Sequence, residues 1–384
     1  MSAPPVRTIP FARPCLGDEE RQAVAEVLGG SILTHGPQGQ AFEAAFAAML
    51  GAEAHAVVLS SCMAALHLAC LALGLGPGDE VIVPAQTHVA TVHAVEWVGA
   101  RPVFVDCDAA TGNVTPAAVA DAVTPRTRAI AVVHFVGIPC DMAGIMAVAG
   151  RHDLRVIEDC ALALGARIDG RHVGLFGDAG CFSFYPTKHI TTGEGGMLVS
   201  RRADVAAAAT RLRGFGVDRS HTERTRPGIY DVPQLGLNYR MSEMQAALGR
   251  VQLGRLAGYL DRRRAHFTAL RQALGAVPGA HVLDSTTPTA VSSHYCLGLV
   301  LDDRYDRDAV VGALRDAGIG TSVYYPHPIP RLRYYRERYG YEAGRFPHAA
   351  TISDRSIALP VGPHLAEDDV LYTAARLRRL GELT

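Results

Sequence analysis

Short runs of β-branched and aliphatic residues recur at nearly even spacing through the first half of the chain. They read AVVL at 56–59, EVIV at 80–83, PVFV at 102–105, AIAVV at 129–133 and RVIE at 155–158. Between them lie segments long enough for a helix, among them HVATVHAVEWVG, TPAAVADAV and CDMAGIMAVAGRH. Strands alternating with helices at this interval need right-handed crossovers, which build a largely parallel sheet with helices on both faces. The runs also lack polar alternation, as strands buried on both faces should. The expected class is α/β.

After Arg171 the pattern changes. GCFSFY (180–185) and GMLVS (196–200) predict two more strands, joined by the Gly-rich turn TTGEGG. The polar stretch from RGFGVDRSHTERTRP to GLNYR predicts a surface or interface loop. From Ser242 onward, apolar residues at helical spacing predict long helical structure leading into a second domain. We expect a large α/β domain over 1–250 and a smaller α+β domain over 251–384.

Composition removes several classes. Lys and Arg number 37 against 38 Asp and Glu, so the basic surplus of a nucleic-acid binder is missing. The eight cysteines form no C-x-x-C pair, so neither a zinc site nor a disulfide framework is expected. Reduced, mostly buried thiols suit a cytoplasmic protein, and the N-terminus has no apolar core of a secretory signal. Ala56 to Gly78 carries no Asp, Glu, Lys or Arg and is long enough to span a bilayer. Ser60, Ser61, His67, Gly74, Gly76 and Pro77 interrupt it, so a buried strand followed by a buried helix explains it better.

Four segments carry candidate chemistry. In FSFYPTKHITTGEGG, Lys188 follows an aromatic strand and precedes a tight glycine turn. Desolvation there would lower its pKa and expose a neutral amine for a Schiff base; the alternative is an ordinary loop lysine. In RVIEDCALALGA, Asp159 falls at the C-terminal end of a buried strand, where ligands of open α/β sheets bind. A carboxylate there wants a cation such as a pyridinium nitrogen, unless it is a helix cap or half of an ion pair. In VVLSSCMAALHLA, a strand, two serines and a helix start offer free N–H groups suited to a phosphate, though Ser-capped helices are ordinary. In VIVPAQTHVATVHAVE, His88 lies near a strand end where it could stack on a flat ring or serve structure alone.

In this order the motifs resemble the DegT/DnrJ/StrS group of sugar aminotransferases, which use pyridoxal 5′-phosphate (PLP) and have the fold type I architecture. The resemblance runs from GPQGQAFEAAFA through GLGPGDEVIVPAQTHVAT, VIEDCALALGA, GCFSFYPTKHITTGEGGML and GLNYRMSEMQAALGRVQL to SIALPVGPHL. It implies Lys188 as the Schiff-base lysine, Asp159 as partner of the pyridine nitrogen, and Ser183 on the phosphate. Asn238 would reach that phosphate from the neighbouring subunit of a homodimer, and His88 would stack on the ring. Cys62 and Met63 stand where the family usually carries Gly-Thr, so backbone N–H groups and Ser183 must hold the phosphate. Leu162 and Leu164 replace a usual Gln and His, and Pro330 ends a motif that usually closes on His, with His327 nearby.

The implied reaction moves an amino group from L-glutamate or L-glutamine to a keto sugar, nucleotide-linked, with PLP cycling through pyridoxamine 5′-phosphate (PMP). Arg213 and Arg240 are candidates to hold the donor carboxylate. A keto cyclitol as acceptor, or elimination by a dehydratase or another lyase of the family, stays open on the altered residues. The implied protein needs no metal, membrane or nucleic acid.

Overall fold

The computed structural model describes residues 7–218, 229–275, 277–285 and 288–379. Part of the long polar stretch, 219–228, lies outside the described residues.

Each aliphatic run of the first half is a strand: β1 (His55–Leu59), β2 (Glu80–Pro84), β3 (Arg101–Val105), β4 (Thr127–Val133) and β5 (Arg155–Asp159). Two short pieces, β6 (Arg167–Ile168) and β7 (Arg171–His172), precede β8 (Ala179–Ser183) and β9 (Gly196–Ser200). Seven of these form one sheet in the order β1-β9-β8-β5-β4-β2-β3. Strands β3, β2, β4, β5 and β8 pair in parallel, whereas β9 runs antiparallel to both β8 and β1. The sheet is therefore mostly parallel, with one reversed strand inside it. Strand β8 stops at Ser183, two residues before the aromatic run ends, because Phe184 leaves the ladder to bond Gly195 and Thr192 across the turn.

Helices cover the sheet: α1 (Asp18–Leu28), α2 (Pro37–Leu50), α3 (Cys62–Ala72), α4 (Val89–Trp97), α5 (Pro116–Asp121), α6 (Met142–His152) and α7 (Ala203–Leu212). The uncharged stretch is β1 plus α3, and eight of α3's eleven residues are buried, as a helix packed on several sides requires. Phe42 and Phe46 of α2 pack edge-on and tilted against Phe182 and Phe184 at centroid distances of 5.2–5.7 Å. Truncating one of these fully buried rings to Ala would cost about 3–5 kcal/mol.

One helix, α8 (Glu243–Leu274), starts in a capping box made by Ser242 and Gln245 and runs unbroken for 32 residues. Its first part packs on α1 and α2, and its later residues Phe267, Leu270 and Leu274 enter a second core. That core is built on β10 (Ala280–Val282), β12 (Leu297–Leu301) and β13 (Ser356–Leu359), an antiparallel sheet, while β11 (Ala290–Val291) pairs with β6. Around it lie α9 (Arg307–Asp316), α11 (Pro347–Arg355) and α12 (Glu367–Leu377), whereas α10 (Arg333–Tyr339) turns back and packs Tyr335 on His93 of α4 and Phe104 of β3. Ile9, near the N-terminus, joins this second core through a bridge to Ile319. Among the described residues no helix is long and apolar enough to cross a membrane.

Candidate active site

Parallel strands present their C-terminal ends at one edge of the sheet, and four loops of interest leave from that edge. Asp159 is the last residue of β5, Ser183 the last of β8, Cys62 and Met63 follow β1, and His88 follows β2. Lys188 sits five residues after Ser183, before Gly193, whose φ of +79° suits the turn back into β9.

Asp159 is buried, 4% exposed, yet makes no ion pair among the described residues. Thr91 Oγ1 donates to its Oδ2 at 2.7 Å and the Ala161 N–H to its Oδ1 at 3.0 Å. Thr87 lies 2.8 Å behind Thr91, hydroxyl to hydroxyl, so Thr91 can accept there while donating to Asp159. These bonds take up both of its oxygens, and no cation pairs with it among the described residues.

At α3, Ser61 Oγ accepts the Ala64 N–H at 3.0 Å, which leaves the Cys62 and Met63 N–H groups as the open donors of a positive helix end. Gly196 abuts this turn so closely that an added Cβ would collide with the Ser61 carbonyl and the Cys62 nitrogen. Ser183 pairs with Gly196 in the β8–β9 ladder, so it stands across one residue from the helix start. This set of donors could hold a phosphate.

Lys188 is half-buried, and its Nζ lies 5.3 Å over the Tyr295 ring. Burial pushes its ammonium below the ordinary 10.5, although the Cys62 and Asp159 side chains pull the other way. His88 caps α4, its Nδ1 taking the Ala90 N–H at 3.2 Å, and its ring stands 5.5 Å from that of Tyr325. Asn238 is exposed; the next residue, Tyr239, receives the Ser60 N–H on its carbonyl at 2.8 Å. Among the described residues nothing links the Asn238 side chain to the others. Leu162 and Leu164 are buried in apolar clusters, the former with Phe135 and Tyr295. His327 is exposed.

Three residues of this region carried no signal in the sequence alone. Thr91 looked like any polar residue of a helical segment, although its place one turn past His88 could have drawn notice. Tyr295 and Tyr325 come from the far part of the chain and reach the site only through the fold. The Tyr295 hydroxyl meets Thr187 at 3.1 Å and Tyr324 at 2.7 Å, fixing the ring beneath Lys188.

A second polar group lies behind the site. His134, Glu158 and Cys160 bring their ligand atoms within 4.8 Å of one another, close enough for a metal. However, Glu158 already accepts from His134 Nε2 and from the N–H groups of Gly174, Phe176 and Gly177 at 2.7–3.0 Å. Burial alone would raise its carboxyl; these donors outweigh that and hold it low. His134 Nδ1 takes the Cys140 N–H, so Nε2 carries the proton and has no lone pair to give. The group is a latch that ties the 174–177 loop to the strand bearing Asp159.

The residues present therefore fit PLP: an uncompensated carboxylate for its ring nitrogen, open N–H donors for its phosphate, and an amine of lowered pKa for its aldehyde. The model of the DegT/DnrJ/EryC1/StrS aminotransferase family matches residues 14–378. A UDP-N-acetyl-3-dehydro-alpha-D-glucosamine 3-aminotransferase of Acidithiobacillus ferrooxidans is 40% identical over 367 residues, 95% of this chain and 94% of that one. Helicobacter pylori PseC, an aminotransferase of pseudoaminic acid biosynthesis, is 25% identical with a TM-score of 0.91, over 98% of this chain and all (100%) of that one. Spr1654 of Streptococcus pneumoniae, assigned as a sugar aminotransferase and solved in PLP and PMP forms, is 28% identical. Its TM-scores are 0.89 and 0.90, covering 98% of this chain and 99% of its own. This chain belongs to the DegT/DnrJ/EryC1/StrS family of PLP-dependent aminotransferases.

Proposed function

We propose that the protein transfers an amino group from L-glutamate or L-glutamine to the keto carbon of a nucleotide-linked sugar. One observation carries the chemistry: Lys188, with its lowered pKa, shares an edge of the sheet with a buried, unpaired Asp159 and an open helix N-terminus. The keto sugar is supported by the relative at 40% identity, whose name specifies a UDP-linked 3-keto sugar.

When bound, PLP supplies an aldehyde for amines and a ring that accepts electron density from a breaking C–H bond. In this reading Lys188 Nζ would hold the cofactor's aldehyde and, once free, would carry the proton leaving the donor's α-carbon. Asp159 holds a proton on the ring nitrogen, with Thr91 and Ala161 fixing both of its oxygens. The Cys62 and Met63 N–H groups and the Ser183 hydroxyl would hold the phosphate, and His88 would pack on the ring. A second copy of the chain would bring Asn238 to the same phosphate, which makes the working unit a homodimer.

Capture of PLP by the cofactor-free protein needs a neutral amine. A lowered pKa means that the neutral form is present from a lower pH upward. The capture rate should therefore rise with pH through a midpoint below 10.5. Stopped-flow absorbance across a pH series measures it, and a midpoint at 10.5 or above would show a solvated lysine instead.

The function is tested by recording the visible spectrum of the PLP-loaded protein while adding L-glutamate, then L-glutamine. Bleaching by either, reversed by a UDP-linked 3-keto sugar, is the expected result. Indifference to both donors would sink the reading.

A further inference from the structure

Many arginines in this fold carry their own acid. Arg213, a sequence candidate for the donor carboxylate, is neutralised by Glu43 at 2.6 Å, and Arg202 sits between Asp178 and Asp204. Arg240 leans on Phe215 and on His35 Nε2 at 3.1 Å. Arg263, on α8, is different. It is 5% exposed and makes no ion pair among the described residues. Its Nη1 donates to the Tyr295 carbonyl at 2.7 Å, and its Nε–H is buried without any acceptor. A desolvated guanidinium with a spare N–H is an expensive thing to hold inside a protein unless an anion comes to it.

The surroundings point to where that anion enters. Arg263 lines a cleft together with Lys188, Thr187, His189, Tyr295 and Arg13, and no Asp or Glu lines it. Lys188 Nζ and Arg263 Cζ both lie over the Tyr295 ring, 5.3 Å and 6.0 Å from its centroid. His189 is buried; Nε2 meets the Ser293 carbonyl at 3.1 Å, so Nε2 carries the proton and Nδ1 is an acceptor with no donor. The N-terminal segment is pinned across the cleft by His364 on the Pro10 carbonyl at 2.9 Å. Gln252 and Tyr259 hold the Cys15 carbonyl at 2.9 and 3.2 Å. That segment leaves Arg13 exposed at the mouth, with no ion pair among the described residues. The cleft thus has a buried cation, a mouth cation and the reactive lysine, between the two cores, where ligand sites concentrate.

We propose that Arg263, with Arg13 at its mouth, is an anion subsite that receives an oxyanion of a substrate beside Lys188. The inference rests on the transamination reading above. Two sources fit the chemistry: the carboxylate of the amino-acid donor and the diphosphate of a sugar nucleotide. A guanidinium fork with one free edge suits either.

The test is calorimetric titration of the PLP-loaded protein with two probes, glutarate for the donor and UDP for the sugar nucleotide. Arg263→Gln should weaken at least one of them by about tenfold or more, because a charge-assisted bond is lost. Arg263→Lys should fall between Arg263→Gln and the native protein, since it keeps the charge without the fork. Arg13→Ala, at an exposed position where folding is not at risk, should weaken the same probe by about two- to fivefold. Loss for glutarate alone assigns the donor carboxylate, loss for UDP alone the diphosphate, and loss for both a subsite used by each substrate in turn. The proposal is overturned if the native protein binds neither probe. It is equally overturned if no probe weakens more than about twofold in Arg263→Gln, or, should that variant not fold, in Arg13→Ala. Native protein that bleaches with L-glutamate while the variants bind normally would remove the subsite and leave transamination standing. Native protein indifferent to L-glutamate and L-glutamine would instead remove transamination.

Discussion

Lys188→Ala should abolish transamination, lowering turnover by about 10⁴-fold or more, since the same amine is lost as nucleophile and as proton carrier. The loss should not come from unfolding. Among the described residues Lys188 Nζ makes no hydrogen bond or ion pair, and its ammonium is held against a burial penalty. Removing it should leave the melting temperature unchanged or slightly raised. The loaded variant should also fail to show a lysine-linked visible band, while the α3 donors still hold the phosphate. Single-turnover mixing with L-glutamate measures the first effect and a thermal melt the second. Turnover near that of the native protein would end the assignment of Lys188.

Asp159→Asn should cost about 10²- to 10³-fold in turnover, because the amide keeps the shape but not the charge that holds a proton on the ring nitrogen. The surrounding bonds make this substitution clean. The Ala161 N–H can keep the amide oxygen, while the Thr91 hydroxyl turns to accept from the amide NH2 and donates to Thr87 instead, so the fold should be preserved. Thr91→Val provides a graded companion. It removes a single bond to the carboxylate and should lower turnover by about tenfold. The order Lys188, Asp159, Thr91 in falling severity is the signature of a site in which one group reacts, a second tunes and a third positions. An Asp159→Asn protein within twofold of native turnover would show that the carboxylate serves structure alone.

Much of this arrangement was legible in the residues. The aliphatic runs announced β1 to β5 because a strand buried on both faces has no polar register to hide in, and EVIV and RVIE became β2 and β5 within a residue. Asp159 ends β5 and His88 follows β2, and chain order alone put Lys188 past β8. Neighbours in the sheet were not legible. GMLVS resembles any of the parallel strands, yet β9 is inserted backwards between β8 and β1, because residues 184–195 fold back as a loop with no helix to carry a crossover. Nor was the role of Arg263 visible in DRRRAHF, where three arginines look alike; Arg264 reaches solvent and Asp261, and Arg263 faces inward. Burial, which separates them, is set by what α8 packs against.

The sequence by itself determined the α/β class, the order of the strands and helices, and the chemical types that line up at the sheet's edge. Periodicity and local turn chemistry act over a few residues, so a linear reading can recover them. Tertiary structure alone decided which distant side chains share a volume. Thr91 meets Asp159 across 68 positions and the Tyr295 carbonyl meets Arg263 across 32. Such contacts arise because a close-packed interior gives each buried group only the neighbours the whole fold supplies, and the charge of Arg263 is left waiting on a ligand for the same reason.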